Sequence, residues 1–225
     1  MKNRIASLLI LSALTLTVSC KNDKAAEAET TEAGAVKEAS GEAVSYTVDN
    51  TNSKIDWTGS KPTGKHTGTI NLTDGTVSIK DNVLDSGKFT IDMNTITVTD
   101  LKAGDGKEDL EGHLKGTGGT EADYDHFFNV KKYPQATFEI TKAVTENGKT
   151  AVEGNLTMKG ITKNVKFPAT VTVNADNTVT LVSDPFTINR TLWNVNYGSK
   201  SVFDNLGDKF INDDIELKVS ISAKK

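Results

Sequence analysis

Apolar and polar residues alternate with a period of two along most of the chain after about residue 44. Three segments show this most clearly: 152–158, 165–173 and 215–221. In the first of them valine, glycine, leucine and methionine alternate with Glu153 and other polar residues. Because successive side chains of a β-strand point to opposite faces, this period predicts strands with one dry face and one wet face.

Turn-forming residues separate these apolar stretches. Gly, Asn and Asp are placed for tight turns at 74–75, 86–87, 147–148, 159–160 and 174–177. Strands that follow each other so closely favour antiparallel pairing over βαβ units. The period alone does not separate two stacked sheets from a closed barrel, but a barrel of eight strands is wide enough to hold one small ligand.

The strand pattern stops between residues 100 and 134. Segment 108–114 is predicted to form a short helix, and glycines are dense at 116–119. Phe127 and Phe128 then stand side by side. Since connections of this length are usually functional or poorly ordered, the aromatic pair favours a packed lid over a disordered loop.

Residues 1–19 are predicted to be a secretory signal peptide. Lys2 and Arg4 precede an apolar run that is shorter than the roughly 20 residues of a membrane span. Residues 16–20 resemble the cleavage box of bacterial lipoproteins, which predicts that Cys20 carries lipid. The alternative is an ordinary signal sequence beside a buried cysteine. The first interpretation predicts an exported protein anchored to a membrane of the cell envelope, on its periplasmic side or at the cell surface.

Residues 20–44 are expected to be the acylated cysteine followed by a flexible tether. Ala, Glu, Lys, Thr and Gly dominate the segment, and such a composition cannot bury enough surface to offset its chain entropy. A short charged helix is the alternative. Residues 45–225 then form a single domain.

Composition, charge and motifs argue against nucleic-acid binding, a metal site and catalysis. The formal net charge is −4 without a basic cluster, which argues against nucleic acid. The chain has three histidines in no metal-binding spacing and no nucleophile motif, so neither a metal site nor an enzyme is expected. No cofactor is expected apart from a bound lipid.

Four segments together resemble the YceI-like family, also called the polyisoprenoid-binding, lipocalin-like family: 57–68, 126–138, 152–163 and 188–198. The resemblance covers residues 46–223. It implies an all-β fold: an extended antiparallel eight-stranded lipocalin-like barrel with one short helical excursion, enclosing an isoprenoid chain or a similar amphiphile. The chain departs from the family between Gly116 and Asp125, where it is longer and glycine-rich.

Ligand-binding candidates are the large apolar side chains of the predicted dry faces and lid. His66, Arg190 and Trp193, which carry a polar group, are added to them. The apolar side chains either line a cavity or simply fill the core. Arg190 either pairs with a loop carboxylate or contacts a ligand head group, and His66 is a second head-group candidate. The full set is Trp57, His66, Phe89, Ile91, Met93, Phe127, Phe128, Phe138, Ile140, Leu156, Met158, Phe167, Arg190 and Trp193.

The leading hypothesis is the carriage or sequestration of a long apolar amphiphile, such as a polyisoprenoid, an isoprenoid quinone or a fatty amide. Such binding requires an apolar interior larger than its own side chains can fill. The alternative is a lipid-anchored scaffold whose outer loops bind another envelope protein. An enzyme acting on a lipid is a third hypothesis, which would need polar groups converging inside the barrel. A homodimer is left open.

Overall fold

The computed structural model describes residues 25–225, and in this part of the chain the fold is almost entirely β. One α-helix, α1 (Lys107–Lys115), and short 3-10 turns at Glu121–Asp123, Arg190–Trp193 and Gly207–Lys209 interrupt the strands. The strands are β1 (Ala26–Glu27), β2 (Glu29–Glu32), β3 (Val44–Val48), β4 (Lys54–Lys61), β5 (Gly64–Lys80), β6 (Val83–Val98), β7 (Gln135–Glu146), β8 (Lys149–Met158), β9 (Ile161–Val173), β10 (Thr178–Ser183), β11 (Phe186–Asn189) and β12 (Asp214–Lys224).

The strands form one sheet that closes on itself into a barrel. Each strand from β5 to β10 pairs with the next, β10 pairs with β12, and β12 returns to β3 and β4, both of which pair with β5. All these pairs are antiparallel, and the one parallel pair in the described part of the chain is β1 with β11. Since β3 and β4 share one position in the ring and β11 continues β10, the predicted eight-stranded barrel is confirmed.

Apolar and polar residues that alternate in the sequence point to the inside and the outside of the barrel wall, respectively. Val152 and Gly154 of β8 and Val165 of β9 are buried, whereas the intervening Glu153 is half-buried. Two-residue turns such as Asn147-Gly148 have positive φ at both residues, 51° and 78°. Turns of this hand match the right-handed twist of the strands that they join.

Residues 101–134, most of the connection between β6 and β7, are called the lid here. The lid contains α1, so the predicted short helix is confirmed. The helix ends at Gly116, whose φ is 68° and where a Cβ would lie 2.2 Å from the carbonyl oxygen of Tyr124. Only glycine fits such a site. The sharp stop lets Leu114, Phe127 and Phe128 turn towards the end of the barrel, where all three are buried.

The N-terminal segment differs from the free tether that its composition suggests. Within residues 25–44, β1 pairs with β11 and β2 pairs with β9. These contacts use backbone groups of strand edges, which any sequence can satisfy without large apolar side chains. The predicted signal peptide (residues 1–19) and the predicted lipid attachment at Cys20 lie outside the described residues.

Residues 26–40 are called the strap here. The strap contains β1 and β2 and then continues across the outside of the barrel. Gly34 exchanges two hydrogen bonds with the side chain of Asn155 in β8, at 2.9 and 2.7 Å. Further on, the backbone N–H of Ser40 donates to the buried carboxylate of Asp85 in β6, at 2.8 Å. The strap is therefore part of the folded domain.

Candidate functional site

Two apolar cavities lie inside the barrel. Cavity A has a volume of about 70 Å³ and cavity B, beneath the lid, about 110 Å³. Cavity A is lined by Ile55, Leu72, Phe89, Ile91, Phe138, Ile140, Val152, Leu156, Val165, Phe167, Leu181, Phe186, Leu217, Val219 and Ile221. Cavity B is lined by Ile55, Trp57, Gly59, Ile70, Ile91, Met93, Ile96, Leu114, Phe127, Phe128, Ala136, Leu156, Met158, Ile188, Arg190, Ile211, Asn212, Ile215 and Leu217.

The two cavities adjoin each other at a ring of four side chains, called the constriction here. Ile55, Ile91, Leu156 and Leu217 come from β4, β6, β8 and β12 and line both cavities. A side chain that belongs to both walls separates the two spaces. Movement of these four aliphatic side chains would join the cavities into one apolar channel.

A row of phenylalanines occupies much of the space around cavity A. Phe89, Phe138, Phe167 and Phe186 have successive ring centroids 6.4, 5.6 and 4.4 Å apart. The Phe138 ring packs over Gly154, where a Cβ would lie 2.3 Å from its nearest ring atom. The glycine in β8 therefore makes room for this ring.

Cavity B is closed at the end of the barrel by Leu114, Phe127 and Phe128 of the lid. Its wall includes Trp57, which is 9% exposed. The indole Nε1 of Trp57 has no hydrogen-bond partner among residues 25–225. A buried donor without an acceptor costs free energy, so Trp57 is a candidate for a hydrogen bond to an oxygen atom of a ligand.

Arg190 lies in the wall of cavity B with 1% of its surface exposed. Its guanidinium donates hydrogen bonds to the backbone carbonyls of Asn212 and Ile211, both at 3.1 Å, and also to that of Val195. Burial lowers the pKa of Arg190, while the nearby Asp213, 3.8 Å away, opposes this shift. Arg190 thus holds two loops together beside the cavity, and its predicted contact with a head group stays a prediction.

Two histidines meet in the lid on the outer side of Phe127. His113 Nε2 lies 3.3 Å from His126 Nδ1, and both rings pack against Tyr197. Burial, and then the charge of His126, lower the pKa of His113. Within residues 25–225 no group of three or more His, Cys, Asp or Glu side chains is arranged to hold a metal ion.

Most of the ligand-binding residues predicted from the sequence line cavity A, cavity B or both. The exceptions are His66 and Trp193. His66 Nδ1 instead lies 2.9 Å from Asp100 Oδ2, in a partly exposed pair. Trp193 is fully buried, and its indole N–H donates to the backbone carbonyl of Leu156 at 3.1 Å. This tryptophan supports the barrel wall from behind the constriction.

The residues predicted from the sequence do not include the inward residues of β12, although their alternation is clear in the sequence. Ile215, Leu217, Val219 and Ile221 all line a cavity. Their period of two already placed them on a dry face, so the signal was present. What was missing was the position of this last strand, which closes the ring beside β4.

The interior leaves less free space than the binding of a long apolar chain requires. Pockets for drug-sized ligands measure about 300–1,000 Å³, well above either cavity. The reason is the row of four phenylalanines, whose large rings pack across the space that aliphatic residues would leave open. A long ligand therefore requires side chains to move.

A closed antiparallel barrel around apolar cavities, with a helical lid at one end, is a lipocalin-like barrel. The YceI-like domain family matches residues 46–223, and the chain belongs to this family. The family match begins after the strap.

Curated relatives match over a part of their length. A UPF0312 protein of Pectobacterium atrosepticum is 31% identical over 110 residues, which cover 49% of this chain and 50% of that protein. A UPF0312 protein of Yersinia pestis is 33% identical over 105 residues, 47% of this chain and 48% of that protein. The chain thus spans about half the length of these relatives.

Solved structures share the fold over a larger part of the chain. BcnA of Burkholderia cenocepacia superimposes with a TM-score of 0.60 at 23% identity and covers 79% of this chain and 99% of its own. A polyisoprenoid-binding domain of Saccharophagus degradans, implicated in plant cell wall breakdown, gives 0.56 at 16% identity and covers 80% and 97%. Within residues 25–225 no helix is both long and apolar enough to cross a membrane.

Proposed function

We propose that the barrel binds one long apolar chain, of the polyisoprenoid type, along cavities A and B. The observation that carries this proposal is the continuity of the apolar lining through the constriction. The polyisoprenoid-binding domain that shares the fold supports it. The ligand would serve as cargo, for carriage or sequestration, because the polar groups in the lining do not form a reactive set.

Flexible side chains make such binding compatible with the small cavities. Met93 and Met158 line cavity B, and their unbranched thioethers adapt to irregular shapes at little cost. Each methylene of the ligand that leaves water contributes about 0.8 kcal/mol. A chain of ten such groups would gain on the order of 8 kcal/mol, enough to offset the displacement of several side chains.

The unpartnered donor of Trp57 favours a ligand with one oxygen atom near the lid. Polyisoprenoid alcohols, isoprenoid quinones and fatty amides all carry an oxygen that accepts a hydrogen bond. We propose that the apolar tail points towards cavity A and this oxygen lies in cavity B. Lipid attachment at Cys20 would keep an exported binding protein of this kind at the membrane that contains such molecules.

Filling the constriction tests this proposal. All-trans-retinol, a fluorescent isoprenoid alcohol, serves as the probe in titrations of the wild type, Ile91→Phe and Val182→Phe. Ile91 lines both cavities, whereas Val182 on the outer face of β10 is 38% exposed and provides the matched control. We expect Ile91→Phe to bind retinol at least about tenfold more weakly, with Val182→Phe unchanged.

Circular dichroism confirms that each variant is folded, since overpacking costs about 1–3 kcal/mol. Equal affinity of the wild type and Ile91→Phe would show that retinol binds outside the constriction and would contradict the proposal. Native mass spectrometry of the purified protein then identifies the chain that it carries from its own cell.

A further inference from the structure

Between β9 and β11 the strands of the barrel wall do not pair with each other, and within residues 25–225 the strap pairs with both of them. β9 pairs with β10 from Ala169 to Val173, but its residues 163–166 pair with β2 on that side. β11 pairs with β12 on one side and with β1 on the other. One extended segment, residues 26–32, therefore crosses from β11 to β9 and stands between them.

Cavity A lies directly behind this gap between β9 and β11. Val165 and Phe167 of β9 and Phe186 of β11 line the cavity from the two sides of the gap. The rings of Phe167 and Phe186 stack across it, with centroids 4.4 Å apart and planes inclined by 2°. Outside them, Ala28 of the strap is 7% exposed and belongs to the same apolar core.

Besides the backbone pairing of β1 and β2, the segment that fills the gap is held by exposed side-chain contacts, among them that of Lys163 Nζ with Glu32 at 2.6 Å. The residues in register with inward-facing neighbours are small, namely Ala26 opposite Phe186 and Thr30 opposite Val165. On the outer face, Glu29 pairs with Lys166 at 3.5 Å, and the Glu29 side chain is 66% exposed. Exposed ion pairs of this kind contribute about 0–1 kcal/mol.

The following part of the strap makes its contacts with buried side chains. Besides the two hydrogen bonds of Gly34, the backbone N–H of Lys37 donates to the carbonyl of Ile140 at 3.0 Å, beside a register shift between β7 and β8. The buried Asp85 carboxylate accepts from the backbone N–H of Ser40 and pairs with Lys37 Nζ at 2.9 Å. First the bond from Ser40 and then the contact with Lys37 lower the pKa of Asp85. The first part of the strap is therefore held by backbone pairing and exposed ion pairs, whereas the buried side chains of Asn155 and Asp85 hold the second part.

We propose that residues 26–32 are a movable stave that closes a lateral port between β9 and β11, and that an apolar chain enters cavity A through this port. This inference rests on the proposed binding function. Cys20 precedes Ala26 by six residues. An extended chain of that length spans at most about 20 Å, so an acylated Cys20 would hold the port close to the membrane surface.

A disulfide across the port tests the proposal without deleting the strap. Glu27 and Thr187 are Cα partners on the outer face of β1 and β11. Neighbouring strands lie within the distance that a disulfide bridges. The variant Glu27→Cys/Thr187→Cys is prepared in a Cys20→Ala background, which leaves the two new thiols as the only ones. Association of all-trans-retinol is then followed in stopped flow, before and after reduction.

We expect the oxidised variant to take up retinol at least about tenfold more slowly than the reduced one, because the stave is then fixed both by the new disulfide and by the Gly34 contacts. The matched control is Thr172→Cys/Thr180→Cys, which links β9 to β10 away from the strap. This control should show equal rates in both redox states.

Two results would contradict the inference in different ways. Equal rates in the oxidised and reduced port variant, with normal final occupancy, would refute the port and leave the binding proposal intact. A wild-type protein that takes up no retinol at all would refute the binding proposal and the port together.

Discussion

Trp57 lines cavity B, and its indole nitrogen is a buried hydrogen-bond donor. A buried donor without an acceptor lowers the stability of the free protein, and an acceptor on a bound ligand would remove this loss. Arg190 differs from Trp57, because backbone carbonyls already accept its hydrogen bonds and no ligand is needed to satisfy them. The two residues line the same cavity, but of the two only the tryptophan has a donor without an acceptor among the described residues.

Trp57→Phe removes the hydrogen-bond donor but keeps an aromatic ring at this position. We expect the variant to be as stable as the wild type or slightly more stable in urea unfolding, because an unsatisfied donor is removed. Farnesol should displace retinol about three- to tenfold less well from the variant, a loss typical of one hydrogen bond. Farnesene, the corresponding hydrocarbon without oxygen, should compete equally with both proteins. An equal loss for both competitors would assign the effect to ring packing.

Among the elements, the lid carries a cluster of ionisable groups that couples it to pH. His113 of α1 faces His126, while Asp123 lies 3.7 Å from the far side of the His126 ring and Tyr197 packs against both histidines. Phe127, the next ring inward, lines cavity B. His113 therefore contacts a side chain that lines cavity B, and a change in its charge acts directly on that side chain.

Acid should loosen the lid. Since the pKa of His113 is lowered in the folded protein, protonation favours the unfolded or open form over the closed one. The contribution of the neutral ring is complete above the ordinary value of 6.5 and decreases as the pH falls below it. In thermal unfolding, the wild type should lose more stability between pH 7.5 and 5.5 than His113→Gln. Identical losses in both proteins would contradict this coupling.

The strap shows why one element could not be recognised from the sequence. Its residues also alternate, with Ala26, Ala28 and Thr30 on one side and Glu27 and Glu29 on the other. Alanine and threonine are too small to mark a dry face, so the composition resembled that of a tether. Its partners, β9 and β11, lie more than 130 residues away in the chain. No local pattern reveals an edge that distant strands leave open.

For the whole molecule, the alternation of large apolar residues predicted antiparallel strands with one dry face, and the resemblance to the YceI-like family then indicated the barrel. Segments such as 152–158 and 165–173 could bury their apolar side chains only on one shared interior. The same pattern identified most cavity-lining residues, because the inward face of a barrel strand is the cavity wall. It could not predict the free volume, which depends on how four phenylalanine rings from separate strands stack.

The closed ring also bears on solubility. A shortened chain that begins at Tyr46, where the family match starts, lacks the strap and leaves the edges of β9 and β11 with unpaired backbone groups. Open edges recruit strands from other molecules. We expect residues 46–225 to self-associate increasingly with concentration in sedimentation velocity, while residues 25–225 remain monomeric. A monomeric short form would show that the two edges can seal against each other, whereas aggregation would make the modest N-terminal segment the feature that keeps neighbouring molecules apart.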